Sequence, residues 1–179
     1  PEGGGNGENL ALRLAEPYKL KLAINKSAVC LAPVAVAEQQ KFFSKYNLEV
    51  EFVNFGNSTD VLLEAIATGK ADAGVGMALR WLKALEQGFD VKLTAGTHGG
   101  CLNLLTAKNS PFGGLESLKG QTIGVTDMAG PDKNFFAILL KRHGIDPISD
   151  VQWKVYPADL LSIALDKREI AAISGSEPF

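Results

Sequence analysis

Apolar and polar side chains alternate along this chain with two different periods from residue 18 onward. In residues 19–24 and 48–53 every second side chain is apolar, which predicts two β-strands that each bury one face. In residues 131–143 the apolar side chains recur at helical spacing, and Gly144 follows as a typical helix end. The chain is therefore predicted to combine strands with helices.

Strands and helices are predicted to alternate over the rest of the chain. Pro33 suits the first turn of a helix over residues 33–44. Asn57, Ser58 and Thr59 offer N-cap oxygens to a helix that Gly69 closes. Further helices are predicted at 77–87 and 157–167, and further strands at 71–75, 91–96, 102–107, 122–125, 151–155 and 170–173. Such alternation indicates βαβ units, so the predicted fold class is α/β with mostly parallel sheets.

One helix-turn-strand pattern occurs twice, in residues 62–75 and 160–173, which start 98 positions apart (160 − 62). Each copy is an apolar helix, a tight turn and a short strand of small residues. Two copies suggest two similar α/β lobes with a ligand cleft between them, although any α/β protein can repeat such a unit.

Charge and composition exclude several classes of protein. The 18 Lys and Arg residues against 20 Asp and Glu give a net charge of −2, and no basic stripe is present to neutralise nucleic-acid phosphates. No apolar stretch approaches the roughly 20 residues of a transmembrane helix. Cys30 and Cys101 lack CxxC spacing, which excludes a disulfide-framework mini-protein and a Cys-rich zinc module.

The first residues form a polar, Gly-rich tract (PEGGGNGEN) that buries too little apolar surface to offset its ordering entropy. We expect residues 1–17 to be a flexible leader. Mature exported proteins tethered to a membrane often carry such a leader, and an added linker has the same composition.

Several segments together carry a family resemblance. They are a helix running into a Gly-x-x-Asp turn (LEAIATGKADAG, 63–74), the segment LESLKGQTIGV (115–125), and the shorter pieces 97–101, 127–131 and 177–178. The chain resembles the nitrate/sulfonate/taurine and thiamine-pyrimidine (NMT1/THI5-like) group of substrate-binding proteins of ABC transporters. The LKGQTIGV segment alone occurs across type II periplasmic-binding-protein folds, whereas the combination is more specific.

The resemblance implies a two-lobed type II periplasmic-binding-protein fold, with lobe one in residues 18–101 and lobe two in 102–179. Family members run to about twice a 150-residue domain and return to lobe one after lobe two. Because this chain stops at Phe179, we expect it to lack that return and to be incomplete at the C-terminus.

The resemblance also implies an extracytoplasmic receptor of an ABC importer that captures a small anion or a small nitrogen or sulfur compound of the nitrate, sulfonate or taurine class. Its expected partners are that solute and a membrane permease, and we expect neither nucleic acid nor a cofactor to bind. The protein is expected to be a monomer and not an enzyme. Its expected location is periplasmic or extracellular, as a membrane-anchored lipoprotein. Alternatives are a thiamine-pyrimidine precursor binding protein, a related pyrimidine-synthase-like enzyme, and the ligand-sensing domain of a transcription regulator.

Ligands of open α/β sheets bind beyond the carboxyl ends of the strands, so the loops there supply the candidate residues. Helix N-termini in such loops offer unpaired N–H groups and hydroxyls to a small oxyanion, although a Ser or Thr there is equally a plain N-cap. The candidate ligand-binding residues are Ser27, Cys30, Asn57, Ser58, Thr59, Met77, His98, Gly99, Thr126, Asp127 and Glu177.

Some candidates have competing interpretations. His98 either donates to an anion or is structural. One interpretation has Trp81 forming a wall of the cleft and Arg80 pairing with an anion, but a tryptophan on a helix more often packs in a core. Glu177 favours an amine or a pyrimidine N–H over nitrate. Cys30, Cys101 and one imidazole make three ligands, one fewer than a closed zinc site needs, so we expect no metal. For the two cysteines, buried thiols are favoured over a disulfide or a catalytic nucleophile.

Overall fold

The computed structural model describes residues 12–97 and 99–176, which form two α/β units, each around its own sheet. The first sheet is parallel and has the order β2-β1-β3. Its strands are β1 (Tyr18–Ile24), β2 (Leu48–Asn54) and β3 (Ala73–Gly74). The helices of this unit are α1 (Ala32–Gln39), α2 (Phe42–Lys45), α3 (Thr59–Ala67) and α4 (Leu79–Glu86).

The second unit contains a four-stranded sheet of order β4-β7-β5-β6. Its strands are β4 (Leu102–Thr106), β5 (Thr122–Val125), β6 (Gln152–Val155) and β7 (Ala172–Ser176), and its helices are α5 (Pro131–Arg142) and α6 (Leu161–Asp166). Among the strands of the described residues, only β4 runs antiparallel, against β7. The predicted α/β class with mostly parallel sheets is confirmed.

Both copies of the predicted helix-turn-strand pattern are present. In the first copy α3 leads into β3, which pairs with β1, and in the second α6 leads into β7, which pairs with β5. Each helix buries its apolar side on its own sheet: Leu62 of α3 is fully buried beside Trp81, and Leu161 of α6 is buried beside Ile173. The packing of α3 and α6 on their sheets thus fixes the positions of the loops at the ends of these helices and strands.

Two predicted elements are wrong. Residues 91–96 form no strand, because β3 is the edge of the first sheet and no strand lies beyond it among residues 12–97 and 99–176 to supply hydrogen bonds. The helix predicted over 33–44 is divided into α1 and α2, because Lys41 adopts a left-handed conformation (φ 56°) that an α-helix cannot contain.

Candidate functional site

A cavity of about 910 Å³ lies between the two units, at the carboxyl ends of the strands. The residue that follows each of β1, β2, β3 and β5 lines it. These residues are Asn25, Phe55, Val75 and Thr126. The volume lies within the range of small-ligand sites, and the position is the one that parallel α/β sheets use for ligands.

Five of the sequence-predicted residues line this cavity: Cys30, Asn57, Met77, Gly99 and Thr126. Asn57 accepts a short hydrogen bond from the amide of Asn25, which is buried and also lines the cavity. Asn25 in turn accepts from the Ser27 backbone N–H at 3.0 Å. These amides give one wall a fixed set of donors and acceptors.

Other predicted residues lie elsewhere. Ser27 is exposed and Ser58 caps α3, accepting from the Val61 N–H at 3.3 Å, and neither residue lines the cavity. The positions of His98 and Glu177 fall outside the described residues. Ser58 therefore acts as an N-cap, which was the alternative interpretation of this residue.

Thr59 and Asp127, also predicted from sequence, contact each other across the two units. Asp127 Oδ2 accepts from the backbone N–H of Thr59 at 3.0 Å and from its hydroxyl at 2.9 Å. Arg80 Nη1 donates to the same hydroxyl at 2.6 Å and lies 3.5 Å from Asp127 Oδ2. We call Thr59, Arg80 and Asp127 the latch. The N-terminus of α3 thus holds a carboxylate of the chain itself.

Arg80 connects the latch to the cavity. Its guanidinium also donates to the Asn57 carbonyl at 2.8 Å, lies over the Phe55 ring at 5.6 Å, and lines the cavity. Burial lowers the pKa of Arg80, while the carboxylates of Asp127 and Asp132 act in the opposite direction. Pairing of Arg80 with an anionic ligand was one of the interpretations that the sequence left open, and in the structure Arg80 pairs with a carboxylate of the chain itself.

Asp132 is a cavity residue that sequence reasoning missed. It is the second residue of α5, only 6% exposed, and lines the cavity. Burial raises the pKa of its carboxyl, and the Asp127 charge adds to this, while backbone N–H groups, that of Lys133 included, and Arg80 lower it. An acid in the first turn of a helix is common for dipole reasons alone, so its sequence position carried no special signal.

Trp81 serves mainly as core, the interpretation that sequence reasoning favoured. Its side chain is 5% exposed and packs with Leu62 and Phe55 in the first unit, while one edge reaches the cavity. Arg80 and Trp81 are neighbours in α4. The buried tryptophan therefore fixes the position of the helix that carries the Arg80 guanidinium to Thr59 and Asp127.

The chain matches a known protein family over most of its length. The family model described as "NMT1/THI5 like" matches residues 30–176. No curated protein matches the chain. No helix among the described residues is long and apolar enough to cross a membrane.

Solved structures resemble the chain over most of its length. The alkanesulfonate-binding protein SsuA from Xanthomonas axonopodis pv. citri, bound to MOPS, has 21% identity and a TM-score of 0.70, over 92% of this chain and 56% of its own. The periplasmic aliphatic sulphonate-binding protein SsuA from Escherichia coli has 20% identity and a TM-score of 0.68, over 91% and 55%. These likenesses confirm the predicted periplasmic-binding-protein fold, and the chain spans about half the length of these proteins.

Proposed function

The chain belongs to the NMT1/THI5-like family, and on this premise we propose that it acts as the solute-binding receptor of an ABC importer. The observation that carries the proposal is the cavity, because its lining comes from both α/β units at the carboxyl ends of their strands. A solute held there contacts both units at once, which is what a receptor needs to couple binding to closure.

We assign the units to two lobes, residues 18–101 and 102–179, that close on the solute. Contacts made to both lobes favour the closed state over the open one, so binding shifts the population toward closure. The closed form then docks on a membrane permease. In this proposal the protein is a monomer outside the cytoplasm, anchored through the leader of residues 1–17, and it binds its solute without transforming it.

The first candidate solute is a small compound of the nitrate, sulfonate or taurine class. The second candidate is a pyrimidine precursor of thiamine, and the burial of Asp132 on the cavity wall favours it. A buried carboxylate on the cavity wall accepts hydrogen bonds from ring N–H or amino groups, whereas it repels nitrate.

A thermal-shift panel tests the proposal on the full-length protein. The candidate solutes are nitrate, bicarbonate, taurine, ethanesulfonate and the hydroxymethyl-pyrimidine of thiamine. A ligand at 100 times its Kd stabilises the native state by about 2.7 kcal/mol, so we expect Tm to rise by about 5–10 °C with one solute class.

Two threonines, one at the start of β5 and one directly after its end, test where the solute binds. Thr126 follows β5 and lines the cavity, whereas Thr122 begins β5 and does not line it. Thr126→Val should weaken binding about 2- to 10-fold through loss of a hydroxyl, and Thr122→Val should bind like the wild type. A cooperative melt that no solute shifts would contradict the receptor function, and a shift that both variants retain in full would contradict binding beside Thr126.

A further inference from the structure

The charges that line the cavity are unevenly balanced. Among the described residues, the lining contains three acids, Asp72, Asp90 and Asp132, and two bases, Arg80 and Lys92. Asp90 and Lys92 are exposed, and Asp72 is exposed and accepts from the Lys21 backbone N–H at 2.8 Å. The charges that water reaches least are therefore those of Arg80 and Asp132.

The charge of Arg80 is already matched within the chain. The guanidinium faces Asp127 in the latch, and the Thr59 backbone N–H and hydroxyl at the start of α3 donate to the same carboxylate, with the Ala129 carbonyl as a second acceptor for the hydroxyl at 3.3 Å. The Arg80 guanidinium and the Thr59 donors, which would suit a small anion, are therefore already bound to the Asp127 carboxylate. Arg80 forms its ion pair with Asp127 and acts on Asp132 only through the charges, so Asp132 is the buried acid of the cavity wall that has no ion pair among the described residues.

Resting on the proposed function, we propose that Asp132 determines the specificity of the cavity by binding a positively charged nitrogen group of the solute, an ammonium or an amidinium. A carboxylate in a partly dry site binds such a group with short, charge-assisted hydrogen bonds. The same carboxylate disfavours a solute that is purely anionic, because no described cation in the cavity wall is both buried and unmatched.

The electrostatic setting of Asp132 agrees with this role. The charged groups facing it are the Arg80 guanidinium from α4 and the Asp127 carboxylate from the loop after β5. Burial raises the pKa of the Asp132 carboxyl, so its contribution to stability is present below the unfolded-state pKa and is lost as pH rises through the folded-state pKa. A cation bound beside Asp132 would favour the ionised form again.

Isothermal titration calorimetry on the full-length protein tests the proposal. The probes are propylammonium chloride, benzamidinium chloride and sodium propanesulfonate at pH 7.5. The variant is Asp132→Asn, and its matched control is Asp60→Asn, because Asp60 is likewise the second residue of a helix but is exposed and away from the cavity. We expect an ammonium or amidinium probe to bind the wild type and the control equally, and Asp132→Asn at least 10-fold more weakly.

A pH series and a melting curve separate binding from a structural role. Affinity for the cationic probe should rise with pH through the raised pKa of Asp132 in the wild type and stay flat in Asp132→Asn. At neutral pH the variant should melt no lower than the wild type, because it removes a buried charge and keeps a polar side chain of the same shape. A variant that melts lower and binds the probes unchanged would show that Asp132 only caps α5.

The remaining outcomes overturn the proposal in distinguishable ways. If propanesulfonate binds and the cations do not, Asp132 does not determine specificity, while the receptor function stands. If cations bind equally to wild type and Asp132→Asn, another group recognises them. If no probe binds, the inference fails, and the receptor function fails with it only when the solute panel also gives no shift.

Discussion

A single glycine allows two carboxylates of the second unit, Asp127 and Asp132, to lie close together. Gly130 stands between Asp127 of the latch and Asp132 of the cavity, and its N–H donates to the Asp127 carbonyl at 3.0 Å. A Cβ at this position would lie 2.9 Å from that carbonyl oxygen and 2.6 Å from Asp132 Oδ1. The carbonyl belongs to the backbone of the turn, so it has little freedom to move away.

We therefore expect Gly130→Ala to lower the free energy of unfolding by about 1–3 kcal/mol, as overpacking does elsewhere. The control is Gly113→Ala, because no neighbouring heavy atom lies within 4 Å of the Cβ position at Gly113. The control should change stability by no more than about 0.5 kcal/mol. Urea denaturation followed by circular dichroism measures both variants, and equal midpoints would contradict the close contact at Gly130.

Some individual residues of the site were predictable from the sequence and others were not. Thr126 and Asp127 follow a clear strand and precede a helix, so their loop was found, whereas the partner that Asp127 binds depends on how two units meet. Asp132 was missed because its burial arises from packing of α5 against α4 and the cavity wall, which no local pattern records.

Elements with a strong pattern of their own were predicted well. The residues of α5 and β5 were placed within one position, because helical spacing with a Pro start and a short apolar run are local signals. The strand predicted over 91–96 failed for the opposite reason: alternation shows that a segment can pair, and pairing also requires a neighbouring strand. Sequence thus gives the elements and only part of their pairing.

Helix α3 shows how one element supports the site. It holds Thr59 of the latch at its first turn and packs on the first sheet through Leu62, which is fully buried. Leu62→Ala should lower the free energy of unfolding by about 2–5 kcal/mol, because it removes buried apolar surface and leaves a cavity.

Leu82 of α4 is the matched control, since its side chain is 49% exposed. Leu82→Ala should cost no more than about 0.5 kcal/mol. Chemical denaturation monitored by tryptophan fluorescence compares the two, because Trp81 lies beside Leu62 in the same core. A similar loss for both leucines would mean that α3 does not anchor the first unit.

Over the whole molecule, the latch is a polar contact that joins the two described units. Its bonds run from the first turn of α3 to the loop after β5, and Arg80 neutralises the carboxylate they share. Hydrogen bonds to a charged group contribute about 1.5–3 kcal/mol, which corresponds to a bias of about 10- to 150-fold. We therefore expect the latch to favour the arrangement in which the units are joined.

Asp127→Ala tests whether the latch sets this preference. Without the carboxylate, the Thr59 backbone N–H loses its acceptor in the second unit and Arg80 loses its ion pair, while the Thr59 hydroxyl keeps the Ala129 carbonyl at 3.3 Å. We therefore expect the units to separate more often and the radius of gyration in small-angle X-ray scattering to rise. Asp60→Ala removes an exposed carboxylate from the same turn of α3 and should scatter like the wild type. If the Asp127→Ala curve also superimposes on the wild type, packing between α4 and α5 holds the units together, and the latch does not set the preference.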